Sequence, residues 1–281
     1  MKVLGNKFRE ARKNQRLSQT VLAAGICTQA TVSKIENKNR CESLDIFYSL
    51  CSKLNVKVND YLADNTEQEL ESLLEQVEEL CNLFNYKEAY ERLNNYPVDL
   101  EGMATDLAVK YFYYKGTTSA IGMENFEDAL ANLNQAESIN RKSDFYSILI
   151  INSIAVTYIL SEGLEKSQPY FEKTYQMLQE YPKNKLSANA AILYYRLAKY
   201  YSKIKAYQKS IQLCDKGIQL CKEASSNSCL DLLLYEKAYN EYFLNGTKEW
   251  YKIAYYFTDF INHEEMMKYI KQDIAKYKVE L

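Results

Sequence analysis

The stretch Leu17-Ser18-Gln19-Thr20-Val21-Leu22-Ala23-Ala24-Gly25-Ile26-Cys27-Thr28-Gln29-Ala30-Thr31-Val32-Ser33-Lys34-Ile35-Glu36 contains two helix starts and one break. Ser18 and Thr28 are N-cap residue types, whose hydroxyl accepts from the open N–H groups of a first helical turn. Gly25, between them, supplies the backbone freedom of a turn. The spacing predicts a short helix over Gln19–Ala24 with Val21 and Leu22 inward, then a second over Gln29–Glu36 with Val32 and Ile35 inward. Gln29, Ala30, Thr31, Ser33 and Lys34 are left on the outside of the second helix. Three more short helices are expected around this pair. One runs from about Val3 to Asn14, with Leu4, Phe8 and Ala11 on its inner face and Lys7, Arg9, Arg12 and Lys13 outside. Asp45–Leu54 and Asn59–Leu62 close the small core.

Charge divides the chain at the same place. Residues 1–60 hold eleven Lys/Arg against five Asp/Glu, a balance of +6, while the rest holds 24 against 32, a balance of −8. The overall net charge of −2 conceals this division. A basic head on an acidic body is the electrostatic footprint of a nucleic-acid module joined to a different kind of domain. The break near Leu62-Ala63-Asp64-Asn65-Thr66 places the expected domains at 1–64 and 65–281.

The head resembles the helix-turn-helix domains of phage-repressor type. The residues that carry the resemblance are Leu17-Ser18-Gln19 with Leu22-Ala23, Val32-Ser33-Lys34-Ile35-Glu36-Asn37, and Ser43-Leu44 with Leu54. The resemblance implies that the helix over Gln29–Glu36 enters the major groove of double-stranded DNA, with its first residues at base edges. By position, Thr28 caps that helix and Ala30 lies on its outer face. Gln29 offers an amide that pairs with adenine, and Thr31 a hydroxyl and a methyl group. Lys34 lies one turn on, in reach of guanine or phosphate. Gln19, Ser33, Lys38 and Arg40 are placed as phosphate contacts, which position a protein without reading sequence. Two residues depart from the pattern. Lys38 stands where a Gly commonly ends this helix, and a Lys in a left-handed cap costs about 1 kcal/mol. Glu42 stands where a Pro is usual.

Beyond Thr66 helical periodicity dominates, and a repeat emerges. Tyr86-Lys87-Glu88-Ala89 with Leu93 returns as Phe126-Glu127-Asp128-Ala129 with Leu133. It returns again as Leu164-Glu165-Lys166-Ser167 with Phe171, and as Tyr207-Gln208-Lys209-Ser210 with Cys214. The intervening helices carry Ala108-x-x-Tyr111, Ala155-x-x-Tyr158 and Ala198-x-x-Tyr201; Ala238 and Trp250 mark a poorer fifth copy, and His263–Tyr277 is expected to cap the stack. Small residues at helix crossings, with aromatics beside them, allow antiparallel helix pairs to stack closely. The order resembles a stretched tetratricopeptide repeat. The expected fold is therefore all-α: a five-helix head followed by a right-handed superhelix of about five degenerate helix pairs, whose first helices line a concave surface. Most of the 26 Tyr are expected in inter-helix packing. Leu70, Leu73, Val77, Leu80 and Phe84 form a seam on the helix after the boundary, which reads either as a dimer-forming linker or as the first repeat helix.

On the concave face the candidates are Asn152, then Tyr195, Arg196 and Lys199, then Tyr235, Tyr239 and Tyr242. An Asn amide pairs with both the donor and the acceptor of an extended peptide backbone. Arg196 and Lys199 together suit a carboxylate.

Taken whole, the chain resembles the peptide-pheromone-sensing regulators of the Rgg/PlcR/NprR type. Gly25-Ile26-Cys27-Thr28-Gln29 and Ile151-Asn152-Ser153-Ile154-Ala155-x-x-Tyr158 carry that resemblance, the PlcR branch in particular. It implies a cytoplasmic homodimer on a two-fold-symmetric operator, controlled by a short imported signalling peptide in the repeat groove, as in quorum sensing. Asn152 matches a groove Asn of that family. Arg196 stands where a second Asn is expected, which favours a ligand with an acidic group or a free C-terminus. Two alternatives stay open: a mobile-element repressor controlled by a protein partner, and a repeat scaffold that does not bind DNA.

Catalysis finds no support. His263 is the only histidine, no G-x-G or phosphate-loop pattern occurs, and seven cysteines include no C-x-x-C pair. These features point to reduced thiols and to a non-enzyme needing neither metal nor other cofactor. The N-terminus has no apolar signal region, and Ile148–Leu160 is too short and too polar to span a bilayer, so no membrane association is expected.

Overall fold

Hydroxyl caps start three helices of the head, two of them at Ser18 and Thr28, where the sequence places them. In the computed structural model, which describes residues 1–62, 66–98 and 103–281, α1 covers Gly5–Asn14, α2 Gln19–Ala23, α3 Gln29–Lys38 and α4 Leu44–Lys53, before a 3-10 turn at Val58–Tyr61. Ser18 Oγ accepts from Val21 N at 3.1 Å, Thr28 Oγ1 from Thr31 N at 3.2 Å, and Ser43 Oγ from Ile46 N at 3.3 Å. Gly25, at φ +80°, makes the turn between α2 and α3. Lys53 supports that turn from α4, its Nζ donating to the carbonyls of Val21 and Ala24. Phe8, Leu22, Val32, Ile35, Phe47 and Leu50 are wholly buried together.

Four expectations for the head are corrected. Val3, not Leu4, faces inward, because its backbone bridges to Leu62 and its N–H donates to the Asn39 carbonyl. Val21 is 52 % exposed, since Leu22 and Ala23 take the inner side of a helix only five residues long. Arg12 is buried rather than outside, held by an acidic partner on α3. Lys38 is still helical, and the left-handed cap falls on Asn39 at φ 51°. Asn tolerates that conformation, and its Oδ1 accepts from Gly5 N at 3.1 Å.

The chain divides into two compact units, Met1–Glu69 and Leu70–Leu281. The expected boundary at 64/65 lies outside the described residues. In the second unit the helices form consecutive pairs: α5 (Thr66–Asn82) with α6 (Tyr86–Asn95), α7 (Thr105–Gly122) with α8 (Phe126–Ile139), and α9 (Phe145–Ser161) with α10 (Leu164–Glu180). Then α11 (Ala191–Lys203) pairs with α12 (Tyr207–Glu223), and α13 (Leu230–Asn245) with α14 (Glu249–Phe260), before α15 (Glu264–Tyr277) ends the stack. The first helices α7, α9, α11 and α13 also pack on one another in succession, forming the inner layer of a helical-repeat superhelix.

The repeated small residues account for this stacking. Ala89, Ala129, Ser167 and Ser210 are wholly buried, and Ser210 Oγ donates to the Ala198 carbonyl at 2.8 Å. Gly122 permits a close approach between pairs. A β-carbon there would lie 2.6 Å from the Tyr86 carbonyl oxygen and 2.9 Å from Lys87 N. Tyrosines fill the crossings, as in the ring stacks Tyr158–Tyr170 and Phe171–Tyr200. Leu70, Leu74 and Val77 of α5 are buried in the core of this unit, so α5 is the first helix of the first repeat. No helix among the described residues is long and apolar enough to cross a membrane.

Candidate functional site

Two sites occupy the two units. In the head, the first turn of α3 stands free: Thr28, Gln29 and Ala30 are exposed, and Thr31, Ser33 and Lys34 half-buried. Behind it runs a connected set of polar side chains. Arg12 donates to both carboxylate oxygens of Glu36, Nε at 2.5 Å and Nη2 at 2.9 Å, and donates through Nη1 to the Leu17 carbonyl. Glu36 Oε2 also accepts from Gln19 Nε2 at 2.8 Å, and Gln19 Oε1 accepts from Gln29 Nε2 at 2.6 Å. A buried ion pair thus fixes the orientation of two surface amides, one at the start of each helix of the motif. Burial pushes the Glu36 carboxyl up, but the bonds from Arg12 and Gln19 outweigh it and hold it below the usual glutamate value.

The remaining expected contacts lie around this set. Thr28 Oγ1 and Thr31 Oγ1 are 2.9 Å apart, and Ser33 Oγ accepts from Asn37 Nδ2. Lys34 Nζ is paired with Glu42 at 2.5 Å, so the residue that replaces the usual Pro holds this lysine. Lys38 and Arg40 are exposed.

In the body, the inner layer encloses a cavity of about 170 Å³. Its walls are aromatic, with Phe84, Tyr86, Tyr113, Tyr114, Phe145 and Tyr146, and Arg196 is its cation. Arg196 is 9 % exposed; its Nη1 donates to Asn152 Oδ1 at 3.1 Å and to Ser153 Oγ at 3.5 Å, and its Nη2 to the Tyr86 hydroxyl at 3.5 Å. None of these partners is an anion. Burial raises the Tyr86 and Tyr113 phenols and pushes the Cys81 and Cys229 thiols up to about 12, so all four stay neutral. Glu78 lines the cavity, but its Oε1 accepts from Asn189 Nδ2. Asn152 is wholly buried, and its Nδ2 has no partner among the described residues.

The structure thus joins Asn152 to Arg196 and separates the other expected groove residues from them. Lys199 is exposed and donates to the hydroxyl of Tyr195, so it does not share a carboxylate site with Arg196. Tyr235 donates to Asp273 on α15, Tyr242 packs on Tyr277 with ring centroids 4.3 Å apart, and Tyr239 packs on Phe243. Tyr235 and Tyr242 seat the terminal helix, while Tyr239 packs within α13. Glu36 as the anchor of both amides, and Tyr86, Phe84 and Glu78 at the cavity, carry no signal in local sequence. Tyr86 and Arg196 are 110 positions apart, and no motif spans that separation.

The class that this fold defines is a helix-turn-helix DNA-binding fold on a helical-repeat body. Residues 8–61 match the helix-turn-helix family model. Solved structures similar to the whole chain include PlcR of Bacillus thuringiensis in complex with the peptide PapR7 and DNA, at 21 % identity and TM-score 0.62, covering 97 % of this chain and 99 % of that one. The apo form of PlcR is similar at 19 % identity and TM-score 0.64, covering 96 % and 99 %. ComR of S. thermophilus, in complex with DNA and its signalling peptide ComS, is similar at 15 % identity and TM-score 0.52, covering 98 % and 100 %. No curated protein sequence matches the chain.

Proposed function

We propose that this protein is a transcriptional regulator of the cytoplasm that binds a two-fold-symmetric operator as a homodimer and is controlled by a short signalling peptide held in its repeat domain. One observation carries the reading: a single chain joins an exposed recognition-helix start, with Gln29 set by Gln19 and Glu36, to a repeat body whose inner face holds an aromatic cavity around Asn152 and Arg196. The PlcR and ComR structures of the same fold hold DNA and a peptide, which supports both halves. Gln29, Ala30 and Thr31 are assigned to base edges, and Gln19, Ser33, Lys38 and Arg40 to phosphates. Thr28 orients the helix start, and Lys34 reaches DNA once it exchanges Glu42 for a phosphate.

A dimer must present two recognition helices about 34 Å apart to meet successive major grooves. Exposed Ile253, Tyr256 and Phe260 along α14 support a contact between copies, since a terminal repeat facing water carries polar residues. A peptide that prefers one curvature of the superhelix shifts the spacing of the two heads by its differential affinity.

The test is a titration of the purified protein onto DNA flanking its own gene, with and without synthetic peptides from neighbouring short reading frames. Salt-dependent binding that one peptide alters is the expected result. Binding indifferent to every peptide, together with a tight protein partner, would replace the peptide by that partner. Weak binding insensitive to salt would remove DNA from the reading.

A further inference from the structure

Arg196 sits in the interior of the body with hydrogen-bond acceptors but no counter-charge among the described residues. Removing a guanidinium from water costs several kcal/mol when no carboxylate repays it. Its neighbour adds to the deficit. A guanidinium only donates, so Asn152 must turn Oδ1 toward it, which leaves Nδ2 buried with no acceptor. Two adjacent groups, both wholly or nearly buried, are therefore incompletely matched: a cation without a counter-charge and an amide nitrogen without an acceptor among the described residues.

The cavity beside them sets the shape of what fits. At about 170 Å³ it exceeds the roughly 150 Å³ that holds a benzene ring. Phe84, Tyr113, Phe145 and Leu149 give the cavity an apolar side; Asn82, Thr117 and Glu78 also line it, with Glu78 bonded to Asn189. That is room for one apolar side chain beside a charged group.

We propose that this cavity is an anchor for a carboxylate that adjoins a single apolar side chain, with Arg196 supplying the charge and Asn152 Nδ2 a second donor. The anchor rests on the peptide reading for its biological ligand, and it deepens that reading: the peptide is held by an acid, not by backbone amides alone. The carboxylate is either the free C-terminus after an apolar residue or an Asp or Glu side chain next to one. Charge-assisted bonds to two donors are among the stronger interactions available in a buried site.

The test uses three small probes on the full chain, with binding followed by calorimetry: acetyl-Leu-Phe with a free carboxylate, its C-terminal amide, and acetyl-Glu-Phe amide. The expected result is at least tenfold tighter binding of an acid probe than of the neutral amide. The free-acid probe leading points to a peptide C-terminus, and the Glu probe leading points to an acidic side chain. Asn152→Asp supplies a built-in carboxylate to Arg196, so that variant is expected to melt at higher temperature and to lose the preference for acid. Equal binding of acid and amide probes, absence of binding by all three, or an Asn152→Asp variant that keeps the preference would overturn the anchor. A signalling peptide that alters DNA binding equally well with its carboxylates amidated would leave the peptide reading standing without the anchor. Acid-selective probe binding in a protein whose DNA binding ignores every peptide would do the reverse.

Discussion

Gln29 donates to Gln19 across 2.6 Å, so the start of α3 and the start of α2 act as one unit on the protein surface. Gln19 is itself held by the buried Glu36 carboxylate. Gln29→Ala is expected to lower affinity for a selected operator by about 1–3 kcal/mol, the value of a good amide-to-base pair, and to leave non-specific binding unchanged. Competition of operator against random DNA measures the difference, and unchanged discrimination would remove Gln29 from base recognition.

Removing the charge of Glu36 tests what the unit stands on. Both partners of the Arg12–Glu36 pair are buried, so Glu36→Gln leaves Arg12 without a counter-charge at an expected cost of about 3–5 kcal/mol. The pH dependence follows from the lowered Glu36 value. A carboxyl depressed in the folded state adds stability that is present above its unfolded value and is lost as the pH falls through the folded one. Acid should therefore loosen residues 1–62 in the native protein, and Glu36→Gln should flatten that contribution. Hydrogen exchange of the head between pH 3 and 7 follows it, and an identical profile in both proteins would separate Glu36 from the acid response.

The left-handed end of α3 separates two neighbouring residues. Asn39→Ala loses both a tolerated φ and the acceptor for Gly5 N, and is expected to cost about 1–2 kcal/mol. Lys38→Ala is expected to cost almost nothing in stability. Denaturation of the two variants side by side checks the assignment, and the opposite order would return the cap to Lys38.

In the body, Gly122→Ala drives a β-carbon against the backbone of Tyr86 and Lys87. Backbone cannot swing aside as a side chain can, so the loss expected is about 1–3 kcal/mol. Thermal unfolding of the full chain reads it, and a variant as stable as the parent would mean that α6 shifts freely.

The sequence made legible what depends on near neighbours. Ser18 and Thr28 announce their caps because an N-cap bond reaches only three residues ahead. Tyr86, Phe126, Leu164 and Tyr207 each prove to be the first residue of a helix, because the repeat imposes one packing solution four times. The head's charge was legible as a sum, but Arg12 was not, since its burial depends on an acid 24 positions away. Leu4 and Val21 misled for a related reason: helical periodicity does not govern a bridged N-terminal segment or a helix of one and a half turns. Asn152 and Arg196 were legible as polar residues on inner helices. Their mutual bond required α9 to pack on α11, and the aromatic walls and the missing counter-charge required the superhelix to bring the first repeat against the fourth.

That same closure changes how the body should come apart. In an open repeat array each unit touches only its neighbours, so stability is a chain of local terms and the ends fray independently. Here Tyr86 reaches Arg196, Glu78 accepts from Asn189, and Phe84 stacks on His263, which is bonded to Asp231. The first repeat is thereby stitched to the fourth, the fifth and the turn before the terminal helix. The array becomes a closed loop of dependencies in which losing the last helix also unseats the first. A solenoid built this way melts in one step, and its two ends share a fate that linear order alone would never give them.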